Sequence, residues 1–268
     1  MSSLNTASND VILERRIDAL WLTLNRPEAH NALTSSMVDA LHAAMDRVDV
    51  EKDVRAFVLT GAGGKFCAGA DLKAVANAPA EDAAQSFREF LDKVGTAYNR
   101  LERLRVPTIA SVGGLALAGG MELMLCCDFI IMDENAKIGD GHANFAQLPA
   151  AGNSVRLPRR IGAARTKQMM FTGELVLSEK ALSWGLVDQV VSAQNMELAV
   201  EALISKMADK SPLVLECMKR LVQDAQDQPL DVALRAEVDL CVEHMLSHDR
   251  NEGLAAFTEK RKPVYLGR

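Results

Sequence analysis

One stretch limits what this chain can become more than any other. It is Ala116-Leu117-Ala118-Gly119-Gly120-Met121-Glu122-Leu123, with Ser111-Val112-Gly113-Gly114 just before it. The apolar run Pro107 to Val112 reads as a strand, and Met121 to Cys127 as an apolar helix opened by the glycine-rich turn. Glycines let backbone N–H groups face outward with no Cβ in the way. A helix N-terminus adds unpaired donors and the positive end of a dipole. Together they make a seat for developing negative charge. Glu122 stands at that seat, between the apolar Met121 and Leu123.

Composition narrows the setting. The 268 residues are 49% hydrophobic and 25% charged, enough for a sizeable core in one large domain or a domain with an appendage. A net charge of −6 and 4% aromatics give no reason to expect nucleic acid or an anionic membrane as partner. The five cysteines, Cys67, Cys126, Cys127, Cys217 and Cys241, show no C-x-x-C spacing. That argues against a disulfide framework or a zinc site and for a reducing, cytoplasmic compartment. Met1 to Asp10 is polar, is expected to be a disordered lead, and does not read as a secretory signal. No apolar run reaches membrane-spanning length.

Along the chain, strands are expected at Val11 to Leu13, Ala19 to Leu24, Val54 to Thr60, Phe129 to Met132 and Leu186 to Val191. Thr34 or Ser35 caps a helix through Met37, Leu41, Met45 and Val48, and Phe87 to Leu104 marks a longer one. Pro79 to Gln85 reads as a mobile loop and Ala136 to Gly152 as irregular. Leu157-Pro158 is expected to break the chain before a helix from Ala163 to Phe171. Ser178 is expected to cap a helix that Gly185 stops, and from Met196 on the pattern is helical. The division is a strand-and-helix core over residues 11–191 and a helical region over 192–268.

A second glycine-bearing stretch, Phe66-Cys67-Ala68-Gly69-Ala70-Asp71-Leu72-Lys73, stands upstream. With it come Leu24-Asn25-Arg26-Pro27, Asn31-Ala32-Leu33, Cys127-Asp128, Arg156-Leu157-Pro158-Arg159, Thr172-Gly173-Glu174, Trp184-Gly185-Leu186-Val187 and Ala256-Phe257-Thr258-Glu259-Lys260-Arg261. In this order and spacing the set resembles the enoyl-CoA hydratase/isomerase (crotonase) superfamily. The resemblance implies an α/β fold: a crotonase-like spiral of ββα turns with a C-terminal helical trimerisation region, assembled as a trimer or hexamer. It implies an acyl-CoA substrate and no separate cofactor, coenzyme A entering as part of the thioester. By motif position the oxyanion hole falls on the N–H groups of Ala70 and Gly119. Ala68, Ala70, Asp71, Leu72, Lys73, Gly119, Gly120 and Lys260 fall at the coenzyme A site, and the first catalytic acid matches Glu122.

The chain also departs from the pattern. A second glutamate is expected twenty residues after Glu122, where this sequence has Ile138-Gly139-Asp140-Gly141-His142. His142 takes that place, and imidazole can accept or donate a proton near pH 7. Asp140, two residues earlier in an extended segment, is expected to point elsewhere. A glycine-rich Pro-Gly-Ala-Gly-Gly is altered to Pro149-Ala150-Ala151-Gly152-Asn153.

Plainer roles compete for several residues. Asp71 can cap a helix beginning near Leu72. Arg156, Arg159, Arg160 and Arg165 read as a surface or interface patch, and Cys67, Cys126 and Cys127 as small buried residues. His244 and His248 lie one helical turn apart without a third ligand, so no metal is expected.

The leading expectation is an enzyme that stabilises a thioester enolate and moves a proton with Glu122, in hydration, dehydration or double-bond isomerisation of an enoyl-CoA. One alternative is hydrolytic C–C cleavage of a β-diketone or β-keto thioester using His142. The other is a weakly active homologue that binds CoA esters.

Overall fold

The computed structural model describes residues 3–4, 9–71 and 83–268. Its main sheet has seven strands: β1 (Ser3–Leu4), β2 (Val11–Arg16), β3 (Ala19–Leu24), β4 (Ala56–Gly61), β5 (Thr108–Val112), β7 (Phe129–Asp133) and β10 (Gln189–Val191), side by side in that order. β1, β2 and β3 pair antiparallel, and every later neighbour is parallel. A second sheet holds β6 (Leu115–Leu117), β8 (Lys137–Gly139) and β9 (Val176–Leu177).

Parallel neighbours need crossovers, and helices supply them. α1 (Ser35–Val50) joins β3 to β4, and α2 (Ala83–Glu102) precedes β5. α3 (Gly119–Leu125) lies between β6 and β7. α4 (Asn153–Ile161), α5 (Ala163–Thr172) and α6 (Ser178–Ser183) follow β8. α7 (Met196–Ala208), α8 (Pro212–Ala225), α9 (Leu230–His244) and α10 (His248–Glu259) close the chain.

The central strands are apolar on both faces because both are covered. Leu20, Leu22, Leu24, Phe57 and Leu59 enter the main core. The alternate residues, Ala19, Trp21, Ala56 and Val58, meet Val200 and Ile204 of α7 in a second cluster. α8 and α9 bury no residue and carry exposed apolar side chains such as Met218, Val222, Leu234 and Val238. Among the described residues no helix is long and apolar enough to cross a membrane.

Several local expectations change. Of the lead expected to be disordered, Ser3 and Leu4 pair with Glu14 and Leu13, and residues 1–2 and 5–8 lie outside the described part. The expected loop at Pro79 to Gln85 is described only from Ala83, where α2 has begun. Pro158 does not end a helix but sits inside α4, and the chain breaks instead at Gly162, with φ of 81°. Pro158 is the sixth residue of α4, so its missing N–H removes one bond from a helix already nucleated, whereas a positive φ stops the helix outright. Ser178 does not cap α6. It is the first helical residue, Leu177 is the N-cap, and the Ser178 hydroxyl donates to the carbonyl of Glu134. Thr34 does cap α1, accepting from Met37 N–H at 3.3 Å.

Candidate active site

The two glycine-bearing stretches meet. Residues 66–71 run as a strand-like link between the Asn31-Ala32-Leu33 turn and β6. Cys67 bridges to Ala116 on one side and Ala70 to Leu33 on the other. Leu33 N–H donates to Gly69 O at 2.8 Å, and Asp71 N–H to Leu33 O at 3.0 Å. Residues flanking Ala70 are therefore bonded toward Leu33, and in a parallel ladder the intervening N–H of Ala70 faces the opposite side. Asn31, fully buried, secures this turn by donating to Ala62 O and Lys65 O and accepting from Arg26 N–H.

Facing Ala70 is the start of α3. A Cβ placed on Gly119 would lie 3.4 Å from Ala70 N, and one on Gly69 would lie 3.0 Å from Gly119 N. The residue before, Ala118, has φ 49° and ψ −118°, an uncommon conformation for a residue with a Cβ. Such strain costs on the order of 1–3 kcal/mol. Here it turns the peptide that carries Gly119 N–H at the head of the helix. Among the described residues, neither Ala70 N–H nor Gly119 N–H donates to a protein acceptor. Two unpaired amide donors thus stand side by side.

Glu122 lies on the first turn of α3 and is 3% exposed. Its Oε1 accepts from Ala151 N–H at 2.9 Å and from Asn153 N–H at 3.1 Å, the latter the first residue of α4. Those two bonds fix Oε1, and among the described residues none engages Oε2. Arg156 backs the arrangement, donating to Ala151 O at 2.9 Å while ion-paired to Glu102 at 2.8 Å.

His142 begins a short 3₁₀ turn after Gly141, whose φ of 64° and contact with Leu117 leave no room for a Cβ. Its Nδ1 lies 3.0 Å from Oδ1 of the fully buried Asp140. Burial by itself would lower the imidazole's pKa. The hydrogen bond to Asp140 and the charges of Asp140 and Glu122 outweigh it, and the net direction is upward from 6.5.

These groups share one pocket of about 120 Å³. Ala68, Ala70, Gly119, Glu122 and His142 are on its wall, and Phe87, Phe90 and Tyr98 of α2 give it an aromatic side. A larger cleft of about 470 Å³ beneath α8 contains none of the expected site residues. Other expected positions lie apart. Gly120 is buried against Cys67 rather than lining the pocket. Asp71 forms an ion pair with Arg26 at 3.0 Å, and any helix it would cap lies outside the described residues. Leu72 and Lys73 also lie outside them. Lys260 is exposed at the C-cap of α10, away from the pocket wall.

The arginine patch is not a free positive surface. Arg156, Arg159 and Arg160 are paired with Glu102, Asp227 and Asp188, and Arg165 stacks on Trp184. Burial pushes Cys67 and Cys127 up to about 12, which suits thiols that pack rather than react. Among the described residues no cluster of His, Cys, Asp and Glu could hold a metal. Two contributors were not among the expected site residues: Asn153, marked in the sequence only as the end of the altered Pro149 to Asn153 stretch, and Tyr98, whose hydroxyl donates to Gly119 O at 2.8 Å and which carries no sequence signal of its own. Tyr98 sits at an ordinary helical core position, and its partner is seventeen positions past the end of its own helix.

Known proteins share this architecture. The sequence model of the enoyl-CoA hydratase/isomerase family matches residues 18–268. Enoyl-CoA hydratase EchA19 of Mycobacterium tuberculosis is 35% identical, over 97% of each chain. The 2,3-dehydroadipyl-CoA hydratase of Escherichia coli is 34% identical over 97% of this chain and all of its own. Among solved structures, an enoyl-CoA hydratase of Bacillus anthracis superposes with a TM-score of 0.91 at 33% identity, covering 97% of this chain and 100% of that one. DspI of Pseudomonas aeruginosa gives the same TM-score at 31% identity, covering 99% and 100%. With the fold, the family match over residues 18–268 and the relatives in agreement, the chain belongs to the enoyl-CoA hydratase/isomerase family, and it is an enzyme of the crotonase fold.

Proposed function

We propose that this enzyme hydrates or dehydrates an enoyl-CoA, or shifts its double bond, through a thioester enolate held by Ala70 and Gly119. The reading is carried by one observation: two amide donors and one oxygen of a buried carboxylate, all without a bond to any described residue, face the same pocket. The thioester oxygen accepts from both amides, and each such donor is worth about 3–4 kcal/mol of barrier. In hydration, Glu122 takes a proton from water as the water oxygen bonds to the β-carbon. The electron pair of the double bond moves to the thioester oxygen, and protonated His142 returns a proton to the α-carbon. In a double-bond shift, Glu122 alone can remove a proton and return it two carbons away.

The aromatic and aliphatic wall favours a neutral acyl chain. The exposed apolar residues of α8 and α9 support self-association, as a trimer or hexamer, measurable by light scattering.

The test is loss of enoyl-thioester absorbance across a series of chain lengths, with Glu122→Gln beside wild type. We expect kcat to fall by about 10²–10⁴-fold in the variant. Full activity in Glu122→Gln would remove the carboxylate from the mechanism. The Asp140-backed imidazole favours one second reading, C–C hydrolysis of a β-diketone or β-keto thioester with His142 activating water. Release of free acid without hydration would select it. Binding of CoA esters without any turnover would identify a weakly active homologue.

A further inference from the structure

Two stretches set this chain apart from its family pattern, the one that holds Asp140-Gly141-His142 and the one that ends at Asn153. They lie eleven residues apart between His142 and Asn153, yet the fold joins them. Asp140 Oδ1 accepts from His142 Nδ1 at 3.0 Å and from Asn153 Nδ2 at 2.8 Å. Its Oδ2 accepts from His142 backbone N–H at 3.3 Å. Asn153 also gives its backbone N–H to Glu122 Oε1. Both Asp140 and Asn153 are fully buried, so no water competes for these bonds.

We infer that Asp140 is the positioning residue of His142, and that Asn153 ties this pair to Glu122 so that carboxylate and imidazole act as one proton-transfer unit. The inference rests on the site proposed above, but it does not depend on which acyl reaction runs there.

The chemistry follows from the donor inventory. An ionised carboxylate only accepts, so Asp140 requires a hydrogen on Nδ1. Nε2 is then the atom that gains or loses the working proton, and His142 is on the pocket wall. The charged groups acting on the ring are Asp140 from its own segment and Glu122 from α3, both negative and both favouring imidazolium. The Asn153 amide cannot flip, because its oxygen would then face the Asp140 carboxylate. That oxygen is buried without a partner. A buried unpartnered acceptor is destabilising. Stability alone is therefore a poor explanation for an asparagine here, and holding Asp140 is a better one.

The test reads His142 directly. Protein labelled at histidine Cε1 is titrated by NMR, and kcat/KM is measured against pH, for wild type, Asp140→Asn, Asn153→Ala, His142→Gln and Glu122→Gln. In Asp140→Asn we expect the His142 resonance to titrate at lower pH, the corresponding limb of the rate profile to move with it, and kcat to fall roughly ten-fold or more with little change in KM. His142→Gln identifies the resonance and abolishes the limb. Asn153→Ala keeps the backbone donor to Glu122, so a several-fold loss in kcat at unchanged KM would isolate its side chain. An unmoved His142 titration in Asp140→Asn overturns the inference. So does wild-type kcat in Asn153→Ala, should Asp140→Asn fail to fold. Full activity in Glu122→Gln would instead sink the reading of the site, while the NMR shift would still report on Asp140.

Discussion

Replacing Gly120 with alanine places a methyl group where there is no space for one. Its Cβ would fall 2.1 Å from Cys67 O, 2.7 Å from Cys67 C and 2.8 Å from Cys67 Cβ. Ordinary contact is about 3.5 Å, so a separation of roughly 1 Å or more has to open. Cys67 cannot yield easily. Its carbonyl accepts from Leu117 N–H at 2.9 Å, and its N–H donates to Leu115 O at 3.0 Å. The strain is relieved by moving α3, which carries Gly119 N–H and Glu122 with it. Overpacking of this kind costs about 1–3 kcal/mol, and more where backbone meets backbone. We expect about 3 kcal/mol, read as a fall in Tm of about 5 °C for a chain of this size. A 1 Å displacement of positioned groups costs about 10²-fold in rate. Thermal melts combined with enoyl-CoA hydration kinetics measure both. A Gly120→Ala variant with unchanged Tm and wild-type kcat would refute the claim that this helix is seated by contact with Cys67.

Three further outcomes are expected. Gly95→Ala, in the interior of α2 with no heavy atom near the added methyl, should raise stability by about 0.5–1 kcal/mol in denaturant titration. Tyr98→Phe removes the bond to Gly119 O and should cost about 0.5–1.5 kcal/mol, with a loss of kcat that Tyr98→Leu deepens. His142 has a folded pKa above 6.5, so its contribution to stability is full below pH 6.5 and is lost as pH rises through the higher folded value. The stability gap between wild type and His142→Gln should therefore narrow from pH 6 to pH 9, and a gap that widens would reverse the sign assigned to Asp140.

The legible parts were those that local chemistry dictates. The near-continuous apolar run Ala19 to Leu24 marked a strand, which the fold buries on both faces, and Thr34 or Ser35 marked the start of α1, where Thr34 proves to be the cap. Glycine spacing marked the two turns that meet. The less legible parts depend on partners distant in sequence. Asp140 was expected to point elsewhere than His142; it is not on the pocket wall, yet it bonds to His142 and to Asn153. Arg156 read as surface or interface because it stands among other arginines. Its pairing with Glu102, fifty-four positions earlier, buries it behind Ala151. Pro158 was overweighted as a breaker because a proline signals only a missing donor, whereas Gly162 changes the direction of the chain.

By itself the sequence determined where the backbone could turn, which faces were apolar, and that a carboxylate would stand at a glycine-opened helix. Those properties reside in single residues and their near neighbours. Only the tertiary structure decided that Ala70 and Gly119 lie together, that the two backbone donors meet Oε1 of Glu122, and that Asn153 links an aspartate–histidine pair to that carboxylate. Hydrogen bonds and close contacts depend on distance in space, and distance along the chain does not specify them.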